Sequence, residues 1–260
     1  PAPPDLTAPS VSRLTTQYDK PSDKFDAELL SLKLDKDFKD FNLSVLAARN
    51  SQTYLARFIS NNFVRVNSAG RFLASREIKP EQDTVEVRLV SNTDNDAFVD
   101  WIVGFWYEDV VRNTRNVTID EDLAVTLFGI PFVDGDLVEN RDRRQNLTEK
   151  ALYGEVALHL TDKATLTLGY RRSDVEIDAD TLFATGLLDG GHAARIGADE
   201  ATQEDVNTYK ANLEYVFNDD ILLYAMASSG YRSGGFNVAS LVTNSSSYES
   251  DTLWNYELGF

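Results

Sequence analysis

The sequence predicts an all-β fold: antiparallel strands running up and down as the wall of a transmembrane β-barrel. Three observations predict it. Eight segments alternate apolar and polar residues with a period of two, as strands with one wet face do. The links between them alternate short (36–40, 92–97, 161–163, 218–220) with long (50–83, 111–148, 173–205, 233–252). A soluble sandwich has no reason to gather every long link at one end, whereas an outer-membrane barrel has tight periplasmic turns and long external loops. In the sixth segment one face runs from apolar to charged, Ala164, Leu166, Leu168, Tyr170, then Arg172, Asp174, Glu176, Asp178, Asp180. That order is hydrocarbon, interfacial aromatic, water; the alternative is that this strand ends at Arg171.

Each strand is justified by its apolar row. The first carries Leu30, Leu32 and Leu34 against Ser31, Lys33 and Asp35. The second carries Leu43, Val45 and Ala47 against Asn42 and Ser44. The third carries Val85, Val87 and Leu89 against Glu86 and Arg88. In the fourth, Trp101, Val103, Phe105 and Tyr107 oppose Asp100, Gly104 and Glu108. The fifth sets Leu152, Val156, Leu158 and Leu160 against Glu155 and His159, and the sixth sets its leucines against Thr165, Thr167, Gly169 and Arg171. The seventh alternates Tyr209, Ala211, Leu213, Tyr215 and Phe217 with Lys210, Asn212 and Glu214. The eighth, Ile221 to Arg232, is apolar on both faces, so its orientation stays open. A ninth begins near Leu253 and breaks off at Phe260. Residues such as Val87, Val103 and Leu168 should therefore face lipid, and Arg88 and Thr167 a lumen.

Composition sets bounds. The net charge of −17 argues against nucleic acid, which needs a basic surface. It suits long acidic loops, and also attraction of cations. Cysteine is absent, so disulfides and thiolate chemistry are unavailable. No run of 18 apolar residues exists, which excludes a transmembrane helix but not a barrel. The start, Pro1-Ala2-Pro3-Pro4, carries no leader, so a signal peptide is expected to be absent or removed.

No catalytic constellation has useful spacing, so no catalytic residue and no cofactor are expected. The two histidines, His159 on a polar strand face and His192 in a Gly-rich loop, make a His-based metal site or triad a poor fit. Asp174, Glu176, Asp178 and Asp180 share a face and are the only candidates for a divalent cation, with a solvated charged rim as the simpler reading. Asn116-Val117-Thr118 and Asn146-Leu147-Thr148 match a glycosylation pattern that would be accidental in a bacterial outer membrane. Glu86, Arg88, Glu155, Arg171, Lys210 and Glu214 lie opposite the apolar rows and are expected to pair across the inner wall, facing water or a plug.

Two stretches resemble TonB-dependent outer-membrane receptors. One is the hairpin from Val85-Glu86-Val87-Arg88-Leu89 through Trp101-Ile102-Val103-Gly104-Phe105-Trp106-Tyr107. The other is Leu222-Leu223-Tyr224-Ala225 through Gly230-Tyr231-Arg232-Ser233-Gly234-Gly235-Phe236-Asn237, with Asn255-Tyr256-Glu257-Leu258-Gly259 as the following strand. Residues 1–84 match only in hairpin rhythm. The resemblance implies a 22-stranded barrel filled by an N-terminal plug, with uptake of a scarce solute such as an iron–siderophore complex or cobalamin, energised by the TonB complex. It implies a Gram-negative outer membrane, with lipid and lipopolysaccharide around the wall. Residues 1–260 would be an internal piece of the barrel domain, with plug and C-terminal strands outside it. Arg232, Phe236 and Asn237, close to the mouth, are the candidate solute contacts, although the Gly234-Gly235 turn offers a structural account of that motif. Two rival readings remain: a complete eight-stranded outer-membrane barrel acting as an adhesin or structural protein, and a soluble β-sandwich binding carbohydrate through its aromatics.

Overall fold

The computed structural model describes residues 22–59, 72–92, 98–120, 125–127, 130–132, 137–189, 192–236 and 247–260. The strands are β1 (Ser22–Asp37), β2 (Phe41–Ile59), β3 (Phe72–Ser91), β4 (Val99–Asp120), β5 (Val125–Leu127), β6 (Ile130–Phe132), β7 (Leu137–Thr161), β8 (Ala164–Asp189), β9 (His192–Asn218), β10 (Ile221–Arg232), β11 (Gly235–Phe236), β12 (Ser247–Tyr248) and β13 (Asp251–Gly259). Nine of them form one antiparallel sheet in the order β1-β2-β3-β4-β7-β8-β9-β10-β13, and two small hairpins, β5-β6 and β11-β12, stand on the long links. Every neighbour in the large sheet is the next long strand in the chain, so the connection is up-and-down throughout. Among the described residues no second sheet packs on this one, and β1 and β13 are edges rather than partners. The rival sandwich and the closed eight-stranded barrel are therefore not formed.

The two faces of the sheet are chemically different. On one face, Leu32, Leu34, Val103, Phe105, Leu152, Leu168 and Leu213 are all exposed. A soluble protein does not leave so continuous an apolar surface to water. The opposite face carries Arg88, Glu86, Tyr153, Arg171 and Lys210. Val87, Val103 and Leu168 lie on the apolar face, and Arg88 and Thr167 on the polar one, as the alternation predicts.

The upper edge of the apolar band runs obliquely across the register. Leu30 stands opposite Arg49, Tyr107 opposite Lys150, and Leu152 opposite Arg172. Between these steps the edge is level: Ala47 faces Val85, Val85 faces Tyr107, and Tyr170 faces Tyr209. The band edge thus slips two residues at three of the six pairings from β1 to β9, always in the same direction. Six residues at about 3.3 Å, across six gaps of about 4.8 Å, correspond to a strand tilt of roughly 35°. Transmembrane barrels tilt their strands by about that much. Side-chain chemistry alone thus marks a plane cutting the tilted strands.

Strand length is the main departure from the sequence reading. The long links are largely strand: β7, β8 and β9 have 25, 26 and 27 residues. At about 3.3 Å per residue these ribbons run some 85 Å, whereas a band about 25 Å tall takes only ten or so tilted residues. Above the band the outer face meets water, so the outward apolar row that identifies a strand disappears while the hydrogen-bonded ladder continues. β8 does not end at Arg171, and His192 opens β9 rather than sitting in a loop. The β2–β3 ladder is interrupted opposite Pro80, which has no N–H to donate, and resumes at Tyr54–Ile78.

Beyond the band the pattern inverts. Along the inner face of β8, Ser173, Val175, Ile177, Ala179 and Thr181 are buried, while Arg172, Glu176, Asp178 and Asp180 on the outer face are exposed. Val175, Ile177 and Ala179 form a small core with Phe236, against which Leu147 and Tyr231 pack.

β10 explains its own ambiguity. Ala225 and Ala227 face Leu213 and Ala211 on the apolar side, and the bulkier Tyr224 and Met226 lie on the inner side. Pairing with β9 stops at Ser228. Beyond it Tyr231 packs inward on the β8 core, although strict alternation from Ala227 would turn it outward.

Candidate functional site

The inner wall within the band is a network of paired polar groups. Tyr153 Oη donates to Glu86 Oε1 at 2.5 Å, Lys210 Nζ donates to Glu155 Oε2 at 2.9 Å, and His159 Nε2 lies 2.8 Å from Asp100 Oδ2. His159 Nδ1 meets Thr165 Oγ1 at 3.3 Å, so this histidine is an internal strut of the wall. A concavity of about 650 Å³ lies over this surface, lined by Glu86, Arg88, Trp106, Tyr153, Arg171 and Lys210 among others. Of the interior charges expected to pair, Glu155 does so with Lys210, while Arg171 takes Glu149, Glu86 accepts from Tyr153, Glu214 accepts from Asn212 Nδ2 at 2.8 Å, and Arg88 Nε is buried without a partner.

Gly104 makes one of these contacts possible. A Cβ there would lie 2.2 Å from the Tyr153 ring, so the phenol covers the backbone where a side chain would stand. Gly104→Val must push Tyr153 away from Glu86. It is expected to destabilise the receptor by about 1–3 kcal/mol, read as a lower melting temperature of the detergent-extracted protein. Tyr153→Phe should cost less, because it keeps the cover.

Just above the band, Glu149 is the hub of a second cluster. Arg171 Nη2 donates to Glu149 Oε1 at 2.6 Å and Ser173 Oγ donates to the same oxygen at 2.8 Å. Burial raises the Glu149 pKa, but the bonds from Arg171 and Ser173 outweigh it and hold the carboxyl below its ordinary value. Burial, and then the neighbouring carboxylate, push the Tyr231 phenol up. Phe236 sits above the hub, with its carbonyl accepting from Arg143 Nη2 at 3.1 Å.

The residues singled out from sequence scatter across this region. Asp174, Glu176, Asp178 and Asp180 line the outer face of β8, about 6.6 Å apart along the strand. Asp174 accepts from Gln203 Nε2 at 3.0 Å. Among the described residues no group of three or more acids or histidines could hold a metal ion. Arg232 is exposed and paired with Asp251 across β10–β13. Phe236 is buried, 7% exposed, in the inner core. Asn237 lies outside the described residues. Gly234 and Gly235 are explained by close approach: a Cβ on Gly234 would meet Glu204 Oε1 at 2.6 Å, and one on Gly235 would meet Tyr248 Oη at 2.7 Å.

Sequence reasoning missed a set of arginines on the inner face higher up: Arg76, Arg112, Arg141 and Arg143. They lie within the stretches read as loops, and only the register shows which face they occupy. Arg76 Nε donates to Asn116 Oδ1 at 2.8 Å and its guanidinium lies over the Phe58 ring at 5.8 Å.

A tilted, up-and-down antiparallel sheet with an apolar outer band and a polar, hydrogen-bonded inner wall defines part of a transmembrane β-barrel. Residues 2–260 match the family described as TonB dependent receptor-like, beta-barrel, and the chain belongs to that family. The family's members are outer-membrane transport receptors of Gram-negative bacteria. Solved receptors share the fold. The ferric yersiniabactin uptake receptor FyuA from Yersinia pestis is 18% identical with a TM-score of 0.74, over 92% of this chain and 33% of that one. The ferric-catecholate import receptor Fiu from K12 E. coli, in its closed form, is 15% identical with a TM-score of 0.59, over 83% and 34%. The ferric citrate transporter FecA is 14% identical with a TM-score of 0.55, over 80% and 28%. The chain therefore spans about a third of the length of these receptors.

Proposed function

We propose that this chain is part of the barrel wall of an outer-membrane receptor that takes up a scarce solute, an iron chelate before other cargoes, through a gated lumen. The rest of the barrel and a plug would lie in parts of the receptor beyond this chain, with energy supplied by the TonB complex. The observation that carries the reading is the oblique apolar band over a polar, hydrogen-bonded inner wall, in a chain of the TonB-dependent receptor family whose solved relatives are named as receptors for ferric yersiniabactin, ferric catecholate and ferric citrate. Lipid and lipopolysaccharide surround the outer face. The mechanism is binding and gated passage, with no bond chemistry: the wall stays rigid through its ion pairs and the solute is met above the band.

The test uses the full-length receptor in a host lacking its own ferric receptors. Uptake of radiolabelled ferric chelates is expected with TonB present and should fall to background without it. Uptake that persists unchanged without TonB would overturn the transport mechanism. Spin labels at Val87, Val103 and Leu168 should sense acyl chains, and labels at Arg88 and Thr167 should not.

A further inference from the structure

We propose that β11–β12 is a fixed strap, fastened across the inner face of β8 by Phe236, and that Phe236 is a positioning residue that keeps the β10–β13 link out of the solute's way. This rests on the transport reading and adds to it a part of the mouth that does not move as solute passes.

The cover is local. Three rows of the register run from β4 through β7 to β8: Val110–Leu147–Ile177, Arg112–Gln145–Ala179 and Thr114–Arg143–Thr181. Residues directly opposite one another share a face, here the inner one. On β4, Val110 and Thr114 are half-buried and Arg112 is exposed, whereas on β8 Ile177, Ala179 and Thr181 are all buried. Both strands lie inside the sheet, so an edge does not explain the difference. The β10–β13 link does. β10 gives up its pairing with β9 at Ser228, and the chain then crosses the strands instead of running along them. Gly234 lies against Glu204, which pairs with Val175 and shares its inner face. Phe236 packs on Val175, Ile177 and Ala179 of β8, and its carbonyl accepts from Arg143 of β7 at 3.1 Å.

The fastening is built to stay. Val175, Ile177 and Ala179 form an apolar row on the face that lower down carries Arg171, Lys210 and Glu155. Uncovering such a row exposes it to water, which the hydrophobic effect opposes. A strap that swung away would do so at every passage. The hairpin also has no slack: a Cβ on Gly234 would meet the Tyr248 carbonyl oxygen at 2.7 Å, and one on Gly235 would meet Tyr248 Oη at 2.7 Å. Gly235 and Phe236 are paired to Tyr248 and Ser247, so both arms of the strap are held when the ring is seated. Among the described residues Phe236 is the one strap residue in that core, which makes it the fastening point.

The test uses the full-length receptor, freed of other reactive cysteines, in the host of the uptake assay, with ferric citrate, a ferric catecholate and ferric yersiniabactin offered in turn. A membrane-impermeant maleimide should leave Ala179→Cys unlabelled both at rest and during uptake, while Asp178→Cys on the outer face labels freely. Adding Phe236→Ala should make Ala179→Cys reactive. Phe236→Ala alone should need about tenfold more chelate for half-saturation at an unchanged maximal rate, because the loosened link must be displaced as each solute enters. Phe236→Leu, which refills the seat, should restore the parent value. Labelling of Ala179→Cys that rises during uptake would show the strap opening and overturn the inference. So would protection that survives Phe236→Ala, or a Phe236→Ala receptor that melts lower with half-saturation unchanged. Each of these leaves the transport reading standing. No uptake of any of the three chelates by the parent would overturn the transport reading, and with it the part in entry given to Phe236.

Discussion

Leu168→Arg is expected to cost the receptor about 2–4 kcal/mol, the depth-dependent penalty for a charge near the middle of a barrel's lipid-facing band. Leu168 lies on the outer face two residues below Tyr170, is 45% exposed, and stands between Val156 on β7 and Ala211 on β9. Those neighbours are apolar and offer a guanidinium no hydrogen bond. The adjacent position is the control. Thr167 faces the lumen between Ala157 and Asn212, where water or a polar partner can solvate a new charge. Thr167→Arg should therefore stay within about 1 kcal/mol of the parent. Against a total stability of about 5–15 kcal/mol, the first change should sharply reduce assembled receptor in the outer membrane, measured by heat-modifiable gel mobility. Equal assembly of the two variants would mean that the two faces do not meet different solvents, and the membrane assignment would fall.

How far this fold was legible depended on which solvent each face meets. Within the band the outer row is apolar and the inner row polar, so rows such as Leu166–Leu168–Tyr170 and Val85–Val87–Leu89 identify strand, face and membrane edge together. Above the band the same strands lose that signal. Asp174, Glu176, Asp178 and Asp180 read as loop or rim because their row is charged, yet the alternate row, Val175, Ile177 and Ala179, was a strand pattern of its own with its phase reversed. The upper inner arginines were hidden for a second reason: Arg76, Arg112, Arg141 and Arg143 are far apart in sequence, and only cross-strand register sets them side by side. Phe236 shows the limit of motif reading. Its position after Gly234-Gly235 suggested a mouth residue, whereas the glycines let the chain fold close to Glu204 and Tyr248 and deliver the ring to an inner core.

Arg171→Ala should destabilise the receptor by about 2–3 kcal/mol, the range for losing a hydrogen bond to a charged group and stranding its partner. Burial decides this. The Glu149 and Arg171 side chains are 13% and 29% exposed, unlike surface pairs such as Arg232–Asp251 at 80% and 65%, which contribute little. Removing the guanidinium leaves Glu149 largely buried with Ser173 as its donor, and loosens the ring contact at 5.9 Å between Arg171 and Tyr153. Because Glu149 titrates lower in the fold than its ordinary 4.5, its ionised form is the one the fold stabilises. That contribution is fully present above about pH 4.5 and is lost as the pH falls through the lower folded value. Thermal melts of the detergent-extracted receptor from pH 7 to pH 3 should therefore show the parent losing stability over the acidic end. Glu149→Gln should be less stable at pH 7 but flatter across that range, and Arg171→Ala should lose less than the parent on acidification. A parent whose acid sensitivity survives Glu149→Gln unchanged would place the responsible carboxylate elsewhere in the wall.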